Sequence, residues 1–260
     1  MALISVSKQE HAGFGFKLEN TDFLAKWDTI PLASYEMMKV LHWGVACFKK
    51  QREGYQLSLL TGFVPNMNIF LHPVNKKIML PYLPAWVRGY PFRLITRNEQ
   101  SILTVLENEP NFCADAPVKI LDDEGQLTEK GQDLMGFLSV LEKKYKDDKS
   151  NIDWLAEHEL LKPFQISQTL EDGENKVLRD DLYIIDEAKF AELSDADIAY
   201  MVKSGIMRLA YLQMMSMENW PNYNRYSDVY LKLLNKTDTE LPDVESFFGK
   251  DDDVLSFGER

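Results

Sequence analysis

The segment Arg93-Leu94-Ile95-Thr96-Arg97-Asn98-Glu99-Gln100-Ser101-Ile102-Leu103-Thr104-Val105-Leu106 decides the fold class. Residues 93–96 and 101–106 are short runs of β-forming side chains, and the polar tetrad Arg97-Asn98-Glu99-Gln100 between them reads as a hairpin turn. The same grammar recurs on both sides. Upstream, residues 45–48 and 55–64 read as strands, and residues 68–72 and 77–82 flank Pro73-Val74-Asn75-Lys76 as another hairpin. Downstream, residues 164–170 and 177–185 flank Glu171-Asp172-Gly173-Glu174, whose Asp-Gly pair suits a tight hairpin. Short strands joined by tight turns predict an antiparallel or mixed sheet.

Helices fill the intervals. Thr128 is placed to cap a helix whose Leu134, Phe137, Leu138, Leu141 and Tyr145 form one apolar stripe. Lys143, Lys144 and Lys146 would occupy its last turn, where cations suit the helix dipole. Ser150 with Asp153 then predicts a new helix, with Ile152, Leu155 and Ala156 inward and Pro163 as its stop. Ser34 can cap a short helix through Met37 and Leu41. Near the end, Ser194 and Asp197 resemble a capping box, Ile198, Met201 and Val202 share a face, and Lys203-Ser204-Gly205 reads as a C-cap. A further helix runs from Ile206 to about Asn219 and stops at Pro221. The expected fold is α+β: an antiparallel or mixed sheet built from hairpins, packed helices and a helical C-terminal segment, in one domain over residues 1–236.

The chain has 260 residues, 45% hydrophobic and 27% charged, which excludes a disordered chain or a disulfide scaffold. Its net charge of −12 argues against a nucleic-acid partner. Half of that excess lies in residues 237–260, where Asp238, Glu240, Asp243, Glu245, Asp251, Asp252, Asp253 and Glu259 face only Lys250 and Arg260. This acidic tail reads as disordered or loosely docked, and its Phe247-Phe248 and Val254-Leu255-Ser256-Phe257 suit a docking peptide. No apolar run is long enough for an integral membrane segment. The N-terminal residues lack the pattern of a signal peptide, so the default location is the cytoplasm, with leaderless export to the cell surface left open. Cys47 and Cys113 are far apart in sequence and read as buried free thiols.

Familiar catalytic signatures are missing: no GxSxG, no GxxxxGK[ST], no HExxH. His11, His42, His72 and His158 are isolated, so neither a metal nor another cofactor is indicated. Asp122-Asp123-Glu124-Gly125 could face a cation, but the EF-hand alternation fails and a polar turn is the simpler reading. The densest constellation is Pro81-Tyr82-Leu83-Pro84-Ala85-Trp86-Val87-Arg88-Gly89-Tyr90-Pro91-Phe92-Arg93. Flat rings and guanidinium groups dominate binding hot spots, so Tyr82, Trp86, Arg88, Tyr90 and Arg93 are candidate binding residues. The competing reading is a short helix plugged into the core, with Arg88 bonded to carbonyls. Met201, Met207, Met214, Met215 and Met217 read as core filling, and Ser216 and Asn219 form a polar pair on the same helical stretch.

Residues 83–92 (LPAWVRGYPF) resemble the "(V/L)PAYVRRYPF" stretch of the bacterial SapC family. Ile30-Pro31-Leu32, Ile120-Leu121-Asp122-Asp123-Glu124-Gly125 with Thr128, Ile185-Asp186 with Leu193, and the run from Gly205 to Asn219 are similar to further family segments in the same order. Gln213 stands where many relatives are expected to carry His. The resemblance covers about residues 25–222. It implies an accessory role: the family takes its name from a bacterial surface layer, and relatives occur beside halogenase-like, cupin-like and TonB-dependent-receptor genes. It carries no agreed catalytic residues. The first reading is a non-catalytic protein with a protein or peptide partner, linked to the surface layer or to a peptide-modification or uptake gene cluster, with a homo-oligomer left open. The alternative is an enzyme or enzyme subunit acting on a peptide or amino acid through Asp115, Asp122, Asp123, Ser216 and Asn219.

Overall fold

The computed structural model describes residues 2–97, 100–169 and 174–235. The acidic tail and the hairpin-turn residues Asn98, Glu99, Glu171, Asp172 and Gly173 lie outside them. The expected α+β architecture is present, and every strand pairing is antiparallel.

The first strand is β1 (Leu3–Ser5), followed by β2 (Gly15–Phe16), the short helix α1 (Asp22–Ala25) and β3 (Thr29–Pro31). A 3-10 turn at Ser34–Glu36 continues into α2 (Met37–Val40). Ser34 is not its cap: the Ala33 N–H donates to Glu36 Oε2 at 3.0 Å, and the Ser34 N–H goes to Asp148 Oδ2 at 2.7 Å. Strands β4 (Ala46–Lys50) and β5 (Tyr55–Leu60) follow. β5 is shorter than expected because the chain turns where the N–H groups of Thr61 and Gly62 both donate to Asp28 O. A Cβ on Gly62 would lie 1.9 Å from the Met67 carbonyl oxygen, so only glycine fits this turn.

The hairpin expected over residues 68–82 shrinks to a turn with one bridge, Leu71 to Ile78. The Asn68 side chain draws the backbone aside, accepting from Phe70 N and donating to Leu24 O. After α3 (Ala85–Arg88), strands β6 (Phe92–Arg97) and β7 (Gln100–Leu106) form the hairpin read from the sequence, with Phe92 opposite Val105. β1 pairs with β7 to complete a three-stranded sheet. Strands β8 (Phe112–Cys113) and β9 (Val118–Lys119) flank β2 in another. Phe92, Leu103, Val105, Phe112, Ile120 and Leu138 form the core beneath these small sheets.

Helix α4 (Glu129–Glu157) is one 29-residue rod, capped by the Thr128 hydroxyl, which accepts from Gly131 N. The two helices expected here are therefore one. Ser150 donates to the Lys146 carbonyl within the helix, and Asp153 pairs with Lys149 one turn away, so neither begins a new helix. At about 1.5 Å per residue the rod is long enough to serve several hydrophobic clusters. Leu138 enters the one beneath the small sheets, Leu141 a small one with Ala33 and Ala85, and Ile152 and Leu155 the largest, which also holds Phe48, Leu59 and Leu182 of the main sheet.

Strands β10 (Leu161–Thr169) and β11 (Asn175–Ile185) join the main sheet, in the order β10-β11-β4-β5-β3. Pro163 lies in β10, not at a helix end; β10 is an edge strand, where a missing N–H costs least. Helices α5 (Glu187–Ala191), α6 (Asp195–Ser204), α7 (Ile206–Ser216) and α8 (Trp220–Asn235) close the fold. Gly205, at φ +85°, turns the chain between α6 and α7 as expected. Of the α6 face, only Met201 is buried; Ile198 and Val202 are 40% and 62% exposed. Pro221 does not stop a helix. It sits in the first turn of α8, where proline is tolerated. Cys47 is buried, whereas Cys113 is half-buried. Met201 is core, Met207, Met214 and Met217 pack against it, and Met215 is exposed.

Candidate functional site

The aromatic segment is organised by a residue outside it. Glu36 is fully buried, and three donors converge on its carboxylate: Ala85 N at 2.6 Å and Tyr82 OH at 2.9 Å on Oε1, Ala33 N on Oε2. These bonds hold α3 against α2 while Ala85 and Val87 enter the core. Burial, with Glu36 beside it, pushes the Tyr82 hydroxyl up to about 12, so at neutral pH it remains an O–H donor.

The other side of α3 stays accessible. Arg88 is exposed; its Nε donates to Leu83 O at 3.2 Å and its Nη2 to Tyr82 OH at 3.2 Å. Its guanidinium lies 5.2 Å from the Phe137 ring. Trp86 is half-buried and meets Tyr145 edge to face at 5.6 Å. The Arg93 guanidinium stacks on the Trp86 ring at 3.6 Å, and its Nη1 donates to Phe92 O at 2.6 Å. Burial pulls the Arg93 pKa down to about 10, against Tyr145 and Glu142, so it stays cationic at neutral pH. Phe137 and Tyr145 lie two turns apart on α4, so both arginines border one face of that helix. Among the described residues, neither Arg88 nor Arg93 forms an ion pair.

Tyr90 leaves this group. Its ring stacks on Phe23 at 3.6 Å, Trp27 stands edge-on to it at 5.9 Å, and its hydroxyl donates to Glu109 Oε2 at 2.5 Å. Sequence reasoning missed Glu36, Glu142, Glu109, Phe23 and Trp27, and placed Phe137 and Tyr145 only as core. One signal pointed to Glu36, a glutamate at the third position of a helical turn, where a side chain can reach back to the cap.

Ser216 and Asn219 are buried and bonded to backbone. Ser216 Oγ accepts from Ala46 N at 3.0 Å and donates to Gln213 O at 2.7 Å. Asn219 Nδ2 donates to Leu41 O at 2.7 Å and Gly44 O at 3.1 Å. Gln213 explains this polar row. The β11–β4 pairing includes Leu182 with Lys49 and Tyr183 with Phe48. Beyond it, the Gln213 amide accepts from Ile185 N at 2.9 Å and donates to Ala46 O at 3.0 Å, bridging the strands as they part. An imidazole also offers one acceptor and one donor nitrogen, so a His here would serve the same bridge.

The polar set of the enzyme reading is not gathered. Asp115 pairs with Lys17 at 3.7 Å, and Asp122 closes its own turn by accepting from Gln126 N at 2.7 Å. Asp123 Oδ1 lies beside Gly13, whereas Ser216 and Asn219 face β4 and its preceding loop. Among the described residues, no three His, Cys, Asp or Glu side chains gather in a way that could hold a metal ion, and no helix is long and apolar enough to cross a membrane.

Comparison with known proteins agrees with the signature carried by this site. The SapC family model matches residues 6–222, which include the β6–β7 hairpin, the β8-β2-β9 sheet, α4, the aromatic segment and α7. No curated protein and no solved structure matches the chain. With the model covering most of its length, the chain belongs to the SapC family.

Proposed function

We propose that this SapC-family chain is a non-catalytic binding or accessory protein, with residues 1–236 as one unit, that holds an acidic, aromatic-bearing peptide or protein partner on the Trp86 face. The observation that supports it is the pair of guanidinium groups, Arg93 stacked on Trp86 and Arg88 two positions along α3, neither of them in an ion pair among the described residues. A guanidinium presents a planar fork to a carboxylate, and an indole offers a large flat contact at low entropic cost. We place the partner in a surface-layer assembly or in the product of a peptide-modification or uptake gene cluster.

The test is site-specific crosslinking in native cells. Tyr35 is exposed and next to Arg88, so a benzoylphenylalanine installed there samples the face. One discrete adduct is expected, lost in Arg88→Ala, which leaves the melting temperature nearly unchanged because the side chain is exposed. No adduct, or one indifferent to Arg88→Ala, contradicts the reading. Protease added outside intact cells then separates the two settings: loss of the adduct supports the surface layer, and protection supports an intracellular assembly.

A further inference from the structure

We propose that the pocket at Tyr90 is a second binding site, selective for an alkylammonium group, the cation of a small amine or of a lysine side chain. The cavity has a volume of about 310 Å³, within the range of small-ligand sites. Phe23, Trp27 and Tyr90 supply aromatic walls, Glu109 supplies the charge, and Asp22 and Lys26 are exposed at its margin.

Glu109 carries the argument. It is only 8% exposed, yet its two oxygens meet neutral donors, Tyr90 OH at 2.5 Å and Asn111 N at 3.1 Å. Among the described residues no Lys, Arg or His pairs with it, Lys26 included. Buried carboxylates normally have a cation partner, and a carboxylate accepts about four hydrogen bonds, so capacity remains on the pocket side. The ring walls add to the preference, because an aromatic face attracts a cation and gives an anion nothing comparable. An alkylammonium satisfies both features at once: its charge meets Glu109 and its methylenes meet the rings. This site has the opposite charge preference to the Trp86 face and stands whether or not that reading holds.

The experiment follows the Trp27 indole N–H resonance, assigned by its disappearance in Trp27→Phe, during titration of the full chain. The probes are n-butylammonium chloride for a free amine and acetyl-Gly-Lys-Gly-amide for a lysine side chain, with n-butanol as the neutral control. A saturable shift with an ammonium probe and none with butanol is expected. Whichever of the two binds more tightly identifies the source of the cation. Glu109→Gln retains an oxygen acceptor for Tyr90 and should weaken binding about tenfold or more, as for a lost charge-assisted hydrogen bond. Equal response to ammonium and butanol in the wild-type chain overturns the proposal, independently of how the variant folds. So does a silent wild type beside a Lys26→Ala variant that binds, since the chain's own lysine would then fill the pocket.

Discussion

Glu36→Ala is expected to lower the unfolding free energy by about 4 kcal/mol or more, read as a lower urea midpoint at unchanged slope. Three donors lose their acceptor together: the N–H groups of Ala33 and Ala85 and the Tyr82 hydroxyl. Each buried donor left unmade costs about 1–3 kcal/mol, and the void adds to that. Since a typical domain is stable by only about 5–15 kcal/mol, this one change should bring the chain close to unfolding. Tyr82→Phe removes one donor and leaves the carboxylate its two backbone partners, so its cost should be about 1 kcal/mol. Glu36→Gln falls between, because its amide nitrogen must face a donor. If Glu36→Ala costs no more than Tyr82→Phe, the carboxylate is not what joins α2 to α3.

The second large effect is expected at Arg179. Its side chain is 2% exposed and forks onto Asp181, with Nε to Oδ1 at 2.9 Å and Nη2 to Oδ2 at 2.8 Å. Its Nη1 also lies 3.1 Å from Asp28 Oδ1. Lys49 joins the cluster at 2.9 Å from Asp28. The cluster ties β11 and β4 to the loop entering β3. Arg179→Met should cost about 3 kcal/mol, the lower end for breaking a buried pair, because Lys49 still neutralises Asp28. Arg179→Lys keeps the charge without the fork and should recover part of the loss. The pH dependence has a definite sign. Burial pushes the Asp181 carboxyl up, but its hydrogen bonds and attraction to Arg179, with Lys49, hold it below the ordinary carboxylate value. Its contribution is therefore present above the unfolded carboxylate pKa and is lost as pH falls through the depressed folded value. In Arg179→Met that part of the acid sensitivity should shrink to what Lys49, 3.8 Å from Asp181, still supplies. An unchanged acid limb, with stability matching the wild type, contradicts the assignment.

Neither hub was legible as a hub in the sequence, for the same reason. Glu36 bonds across 49 positions to Ala85, and Arg179 across 151 positions to Asp28. The place of Glu36 in its helical turn marks only a local cap partner, and nothing local marks Arg179. The hairpin of β6 and β7 was legible because strand formers and a polar turn are neighbours in the chain. The break expected at Ser150 failed for the converse reason. Serine and aspartate there look like a cap, but Ser150 bonds back to Lys146 and Asp153 to Lys149, leaving the helix intact. At the candidate site, residue chemistry was legible and partition was not. Arg88, Trp86 and Arg93 were singled out as hot-spot types, while only tertiary packing sends Tyr90 away to Phe23, Trp27 and Glu109.

On the proposed function, Arg88 and Arg93 make the Trp86 face a receptor for acidic groups. Fluorescence anisotropy tests it most directly, with labelled Glu-Phe-Glu and Gln-Phe-Gln peptides titrated into the wild type and into the Arg88→Ala, Arg93→Gln double variant. The wild type should prefer the acidic peptide by about tenfold or more, as for charge-assisted bonds, and the folded double variant should lose the preference. A wild type that treats the two peptides alike, or a double variant that keeps the preference, would contradict it.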